Sequence, residues 1–370
     1  MKFILFSFIF YSQIIFAADL YQQGPTARSL AMGGTYISFV RGADALFHNP
    51  SALARVDGFD FILGQVTAAY SSDAIRFVEQ AQSTGSDLTL DDINGFYGLN
   101  SFADITARSG FVMPYFGVGF YSSNYILENF NNPPFPTFNA TFISDYGYFV
   151  AGAFPIGPQA SVGVTARHVK RWGGQQDILI TSLVGSDDRE VLENAFQDKG
   201  SGTAMDLSAM VTLPTQLNTT LTAVWKDVGR TTFSHTAGLQ APPSQAENLM
   251  FGVSIQHELS IVSWTHAMEY KFINTPDEDF SKKIHLGTEA SFGLFDLRAG
   301  LNQGYLTYGG GVDLWFIQAD VAYYSSELGG AAGQIKNDRV VYSLTLELDF
   351  DQSFKLNTMD GKKRRLKQRR

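Results

Sequence analysis

The 370-residue chain contains no cysteine. That excludes disulfides, thiol catalysis and cysteine-based metal sites. Charge is scarce too: Asp, Glu, Lys and Arg make up 17% of the residues, fewer than an ordinary soluble domain carries. No segment beyond the N-terminal stretch offers about 18 uninterrupted apolar residues, so no membrane-spanning helix is expected. Catalytic signatures are missing as well. There is no HExxH, no GxSxG and no P-loop, and the six histidines (48, 168, 235, 257, 266 and 285) are scattered. Gly309–Gly311 lies in an alternating run without the following helix that phosphate binding requires, and reads as a bend or close packing in a sheet. The chain is therefore read as a non-enzyme, with no catalytic residue, metal site or cofactor.

What the chain does have is aromatics and glycine: 31 Phe, 16 Tyr and 35 Gly, with aromatics at 14%. Met1 to Ala17 reads as a secretory signal peptide, with Lys2 as a minimal basic region, an apolar stretch from Phe3 to Phe16, and Ala17 and Ala18 as small residues for cleavage. Downstream, alternating segments separated by turn residues predict strands at 59–70, 103–113, 116–127, 140–154, 159–172, 201–213, 217–228, 246–258, 260–273, 280–293, 295–301, 306–316, 317–326 and 339–350. In the last, Val340, Tyr342, Leu344, Leu346, Leu348 and Phe350 share one face; Arg339, Ser343, Thr345, Glu347 and Asp349 share the other, and Val341 is the exception. Fourteen strands is an even number, as bacterial transmembrane barrels require. The predicted connections also segregate. Those at 71–102, 128–139, 173–200, 229–245, 274–279, 302–305 and 327–338 are mostly long and alternate with very short ones, the pattern of outer loops and periplasmic turns. All four tryptophans (172, 225, 264 and 315) are placed in strands, mostly near their ends, which suits an interfacial aromatic girdle. The expected fold is all-β: a 14-stranded antiparallel transmembrane β-barrel. An exported chain of this kind points to the outer membrane of a diderm bacterium.

Before the first strand, residues 27–54 read ARSLAMGGTYISFVRGADALFHNPSALA. Gly33 and Gly34 allow close backbone approach, Thr35 to Val40 is a short alternating run, and Asn49–Pro50 starts a rigid turn. From the residues alone, this is either a first strand and turn or a segment packed inside something. The stretch resembles the N-terminal region of FadL-type outer-membrane transporters of hydrophobic compounds and of the related PorV-like barrels. The resemblance rests on Ala31-Met32-Gly33-Gly34, Ala43-Asp44-Ala45 and His48-Asn49-Pro50-Ser51-Ala52-Leu53, with Arg41 and Gly42 where the family has an acidic pair. Weaker echoes are VMPYFGVGF (112–120) and ASVGVTARH (160–168).

The resemblance implies a hatch inside the lumen and a division into signal peptide (1–17), hatch (18–58), barrel (59–350) and basic tail (351–370). It implies uptake of hydrophobic compounds such as long-chain fatty acids, captured by outer loops and passed through a greasy pocket. The alternative it leaves open is a PorV-like docking barrel in a secretion or surface-protein system. Hatch residues are then Gly33, Gly34, Asn49, Pro50 and Ser51. Ligand-binding candidates are Phe39, Phe47, Phe77, Val191 and Phe196, the last three on loop helices read at Ser72–Gln82 and Asp187–Phe196. Phe350 is the candidate assembly signal. Expected partners are hydrophobic small molecules or lipids, outer-membrane lipids and the barrel-assembly machinery, with no nucleic acid. The tail GKKRRLKQRR (361–370) reads as a solvated basic segment, or as the contact for anionic headgroups or a periplasmic partner.

Overall fold

The computed structural model describes residues 19–20, 24–83, 95–130, 137–179, 194–259 and 261–350. The expected signal peptide, its cleavage site, Val191 with most of the second loop helix, and the basic tail lie outside these residues.

Fifteen strands form one antiparallel sheet: β1 (Phe59–Ser71), β2 (Asn100–Met113), β3 (Phe116–Phe130), β4 (Thr137–Ile156), β5 (Ala160–Leu179), β6 (Lys199–Thr212), β7 (Thr220–Lys226), β8 (Ser234–Ala237), β9 (Asn248–Leu259), β10 (Val262–Tyr270), β11 (Ile284–Ser291), β12 (Phe295–Asn302), β13 (Tyr305–Leu314), β14 (Ile317–Glu327) and β15 (Lys336–Phe350). Each barrel strand pairs with its neighbours in the chain, β7 pairs with β9, and β15 returns to β1, with Phe350 opposite Phe59. The closed ring has fourteen members. β8 is an extra: it extends the ladder of β6 beyond the end of the short β7. Closure leaves the fourteen ring strands no open edge, which is the condition for a sheet to sit in hydrocarbon.

The two faces follow from side-chain alternation. Tyr342, Leu344 and Leu346 of β15 are exposed on the outside, while Arg339, Val341, Ser343, Thr345 and Glu347 are buried inside. Val341, which breaks the sequence alternation, packs in an apolar cluster with Leu30 and Tyr324. The outer surface is therefore apolar and the inner one polar, the reverse of a soluble protein and the arrangement of a membrane barrel.

Some details depart from the sequence reading. Trp315 is not in a strand but in the turn after β13, at positive φ (57°) and 73% exposed. The strand expected from residue 280 begins at Ile284, because Phe280–Lys283 forms a short helix capped by Asp279. The connection expected at 302–305 lies between β12 and β13, so one loop on the long-loop rim is no longer than a turn. The helix read at Ser72–Gln82 is present at Ser72–Ser83.

Candidate lumenal binding site

Residues 24–58 lie within the ring of strands. Thr35 to Val40, which alternates like a strand, is a turn, because its backbone is held by distant side chains rather than by a neighbouring strand. The segment is built from pieces too short to be stable alone: a helix at Ala27–Ala31, a 3₁₀ turn at Gly42–Asp44, a helix at Ala45–His48 and a 3₁₀ helix at Pro50–Arg55. Thr26 caps the first helix reciprocally with Ser29 (3.0 and 3.1 Å). Gly33 and Gly34, at φ 68° and 86°, then turn the chain through a conformation other residues resist.

The wall supplies what these pieces lack. Glu269 of β10 accepts the backbone N–H groups of Tyr36 (2.5 Å) and Ile37 (2.7 Å). Asp60 of β1 accepts that of Ala43 (2.7 Å), and Lys271 donates to the Gly34 carbonyl (2.5 Å). Arg28 forks onto Glu289 of β11 at 2.8 and 2.6 Å, and Glu289 also takes Arg298 of β12 at 2.6 Å. Asn49 binds the Ile37 carbonyl (2.8 Å) and accepts the Ser51 hydroxyl (2.6 Å), so the Asn49–Pro50 turn is tied to the segment's middle. Ser51 continues outward: its N–H donates to Ser208 of β6, and its carbonyl accepts Ser161 of β5, both at 2.8 Å.

Glycine seats complete the fit. A Cβ on Gly287 of β11 would lie 2.3 Å from the Met32 carbonyl oxygen, and one on Gly300 of β12 would lie 2.4 Å from the Gly33 nitrogen. These two glycines face each other across the ladder, so together they form a slot for the Met32–Gly33 backbone. Gly163 of β5 makes a similar slot for Pro50–Ser51. The apolar side chains of the segment turn to its own centre and to inward residues of the wall: Met32, Tyr36, Phe39, Val40, Leu46 and Leu53 pack with Ile62, Val112, Tyr121 and Phe149.

Above this plug lies a cavity of about 430 Å³, within the usual range for small-molecule sites. Its floor includes Tyr36, Ile37 and His48, and its far side reaches Pro243–Asn248 and Thr275 in the connections of the long-loop rim. The lining is not simply greasy. Ile37, Ile143, Met250 and Phe272 share it with Arg171, Lys226, Glu269 and Lys271, because the inner faces of the strands carry the polar half of the alternation while the plug buries most of its own apolar half. Burial first, then the Arg108 guanidinium 3.1 Å away, holds the pKa of His48 well below the ordinary imidazole value.

The predicted ligand residues divide. Phe77 and Phe196, from separate loops, join one apolar cluster with Phe96, Ala140 and Ile178. Phe39 and Phe47 do not border the cavity. Phe39 packs edge-on to Tyr36 (5.2 Å), and Phe47 lies between Phe149 (4.9 Å) and Arg108 (4.5 Å). The clamps Glu269, Glu289 and Asp60 have no signature in the sequence, since a lone acid on an inner face of a strand carries no mark of its partner.

No protein-family model and no curated protein matches the chain. Solved structures do. It aligns with the monoaromatic hydrocarbon channel CymD at a TM-score of 0.52 and 13% identity, covering 89% of this chain and 98% of that one. A Pseudomonas aeruginosa FadL homologue aligns at 0.52 and 12%, covering 90% and 99%. The Ralstonia pickettii toluene transporter TbuX aligns at 0.51 and 14%, covering 88% and 98%. The chain has a FadL-type fold. At these identities the likeness is one of architecture, and it extends over nearly the whole of each FadL-type chain.

Proposed function

We propose that this barrel is a bacterial outer-membrane channel for uptake of hydrophobic compounds, with residues 24–58 as its hatch and the long-loop rim facing outward. The observation that carries the reading is the pairing of a lumen filled by a clamped segment with a ligand-sized cavity between that segment and the long loops. A passive porin needs open water through its lumen, whereas a hydrophobic solute needs cover. Each methylene that leaves water gains about 0.8 kcal/mol, so a partly apolar cavity suffices to draw it in. The cluster holding Phe77 and Phe196 is then a capture surface at the rim. The mixed lining favours a solute with one polar group on an apolar body. Long-chain fatty acids fit that description and are the finer part of the proposal.

The test is mass spectrometry of small molecules extracted from the purified barrel, followed by competition with added fatty acid. The expected result is an apolar or amphiphilic compound in stoichiometric amount, lost when Ile143 is enlarged to Trp to fill the cavity. Co-purification of a protein partner with an empty lumen would instead support the docking role and overturn the channel reading.

A further inference from the structure

The outer face of β3 to β6 carries a patch whose chemistry the channel reading does not use. The four strands are in continuous register here, so their outward side chains stand in level rows. The four rows nearest the short-turn rim are apolar or small: Ile156, Ala160 and Val211; then Phe154, Val162 and Ala209; then Phe116, Gly152, Val164 and Leu207; then Val118, Val150, Ala166 and Met205. The next three change character at once. Phe120, Tyr148, His168 and Thr203 form the first, Ser122, Tyr146, Lys170 and Ser201 the second, and Asn124, Ser144, Trp172 and Lys199 the third.

Height explains the change. From Ile156 to Tyr148 the strand climbs about 27 Å along its own axis and, at a tilt of about 40°, about 20 Å across the membrane. The polar rows therefore begin at the edge of the hydrocarbon layer. Within them the lysines lie against rings: Lys170 is 5.7 Å from the Tyr146 ring and Lys199 is 5.0 Å from the Trp172 ring. The His168 and Tyr148 rings are tilted against each other at 5.4 Å. Ser144 donates to Asn124 at 2.8 Å. No acidic residue occupies these three rows, and Glu128 stands two rows higher on β3. An aromatic girdle alone requires neither two lysines nor the hydroxyls around them.

We propose that this patch binds a membrane lipid bearing a phosphate headgroup. Lys170 and Lys199 take the phosphate, the Ser and Thr hydroxyls take the remaining headgroup oxygens, and the apolar rows below receive the acyl chains. Charge complementarity selects the head, and the apolar strip, matched to the depth of one hydrocarbon layer, selects a chain-bearing lipid over a free anion. The site lies on the lipid-facing surface, so it is independent of what the lumen carries.

The test uses the intact barrel in mild detergent and three probes: dioleoyl phosphatidate, dioleoylglycerol with the same chains and no phosphate, and inorganic phosphate. Retention is read by native mass spectrometry and affinity by titration. The expected order is phosphatidate well above both others. The double variant Lys170→Gln/Lys199→Gln should bind phosphatidate about tenfold or more weakly, and Lys170→Arg/Lys199→Arg should keep it. Both lysines point away from the lumen, and heat-modifiable migration on gels checks that each variant is folded. Equal binding of phosphatidate and dioleoylglycerol, or no change in the folded Gln variant, would overturn the proposal. So would a dimer that the Gln variant dissociates, which would make the patch a protein interface.

Discussion

Glu269 concentrates the logic of the lumen in one side chain. It is fully buried, one of its oxygens holds two backbone N–H groups of the hatch, and the other lies 3.5 Å from Lys271. Replacing it with Ala leaves two buried donors without their acceptor and a buried cation without its nearest acid. Such losses cost about 3–5 kcal/mol. Glu269→Ala should lower the temperature at which the barrel loses its compact gel migration far more than Glu269→Gln, which keeps an acceptor oxygen; equal behaviour would mean that the two N–H bonds contribute little. Arg28 and Glu289 should differ in the same assay. Glu289→Met strands Arg28 and leaves Arg298 only Asp296 and Asp320, whereas Arg28→Met leaves Glu289 paired with Arg298. The Glu289 variant should be the less stable, and the reverse order would contradict this account of the cluster.

At the scale of elements, the strands answer to local pattern and the hatch does not. A strand between lipid and a polar lumen must alternate, and β2, β6 and β15 do so most plainly. Strand ends are harder to read. β4 and β5 continue to Thr137 and Leu179, past the positions expected, because above the hydrocarbon the outer face need not be apolar and alternation carries no signal. β8 has no signature in the sequence either, since all four of its residues are exposed. The turn at Thr35–Val40 looked like a strand because its shape is set by Glu269, more than two hundred residues away. The seats at Gly163, Gly287 and Gly300 depend equally on distant pairing. The barrel was therefore legible in the sequence, whereas the clamps of the hatch were not.

Two predictions belong at this scale. Phe350 pairs with Phe59 where the ring closes. Phe350→Asp should abolish membrane insertion, while deletion of 351–370 should leave heat-modifiable migration intact; failure of the deletion alone would place the assembly signal in the tail. In the proposed orientation, protease added to intact cells should cut within 180–198 or 227–247 and spare the turn at 157–159. Cleavage at that turn would reverse the orientation.

For the whole molecule, the hatch is less a loose stopper than a keystone. Its contacts run from β1 and β6 through β10, β11 and β12, so in the proposed channel a solute would enter the cavity above it and not expel it whole. Deleting 27–54 would remove the partners of several buried wall charges and risk unfolding the ring. Gly300→Val is a milder probe: its side chain meets the hatch backbone at Met32–Gly33, as well as the Leu286 carbonyl of β11, while the wall keeps its charges. Ion conductance across planar bilayers, with folding checked by gel migration, is the most direct measurement of the claim that this segment closes the lumen. The wild-type barrel should be silent, and folded Gly300→Val should show frequent openings. Steady conductance in the wild type, or a folded Gly300→Val barrel that stays closed although protease now reaches its displaced hatch, would contradict it.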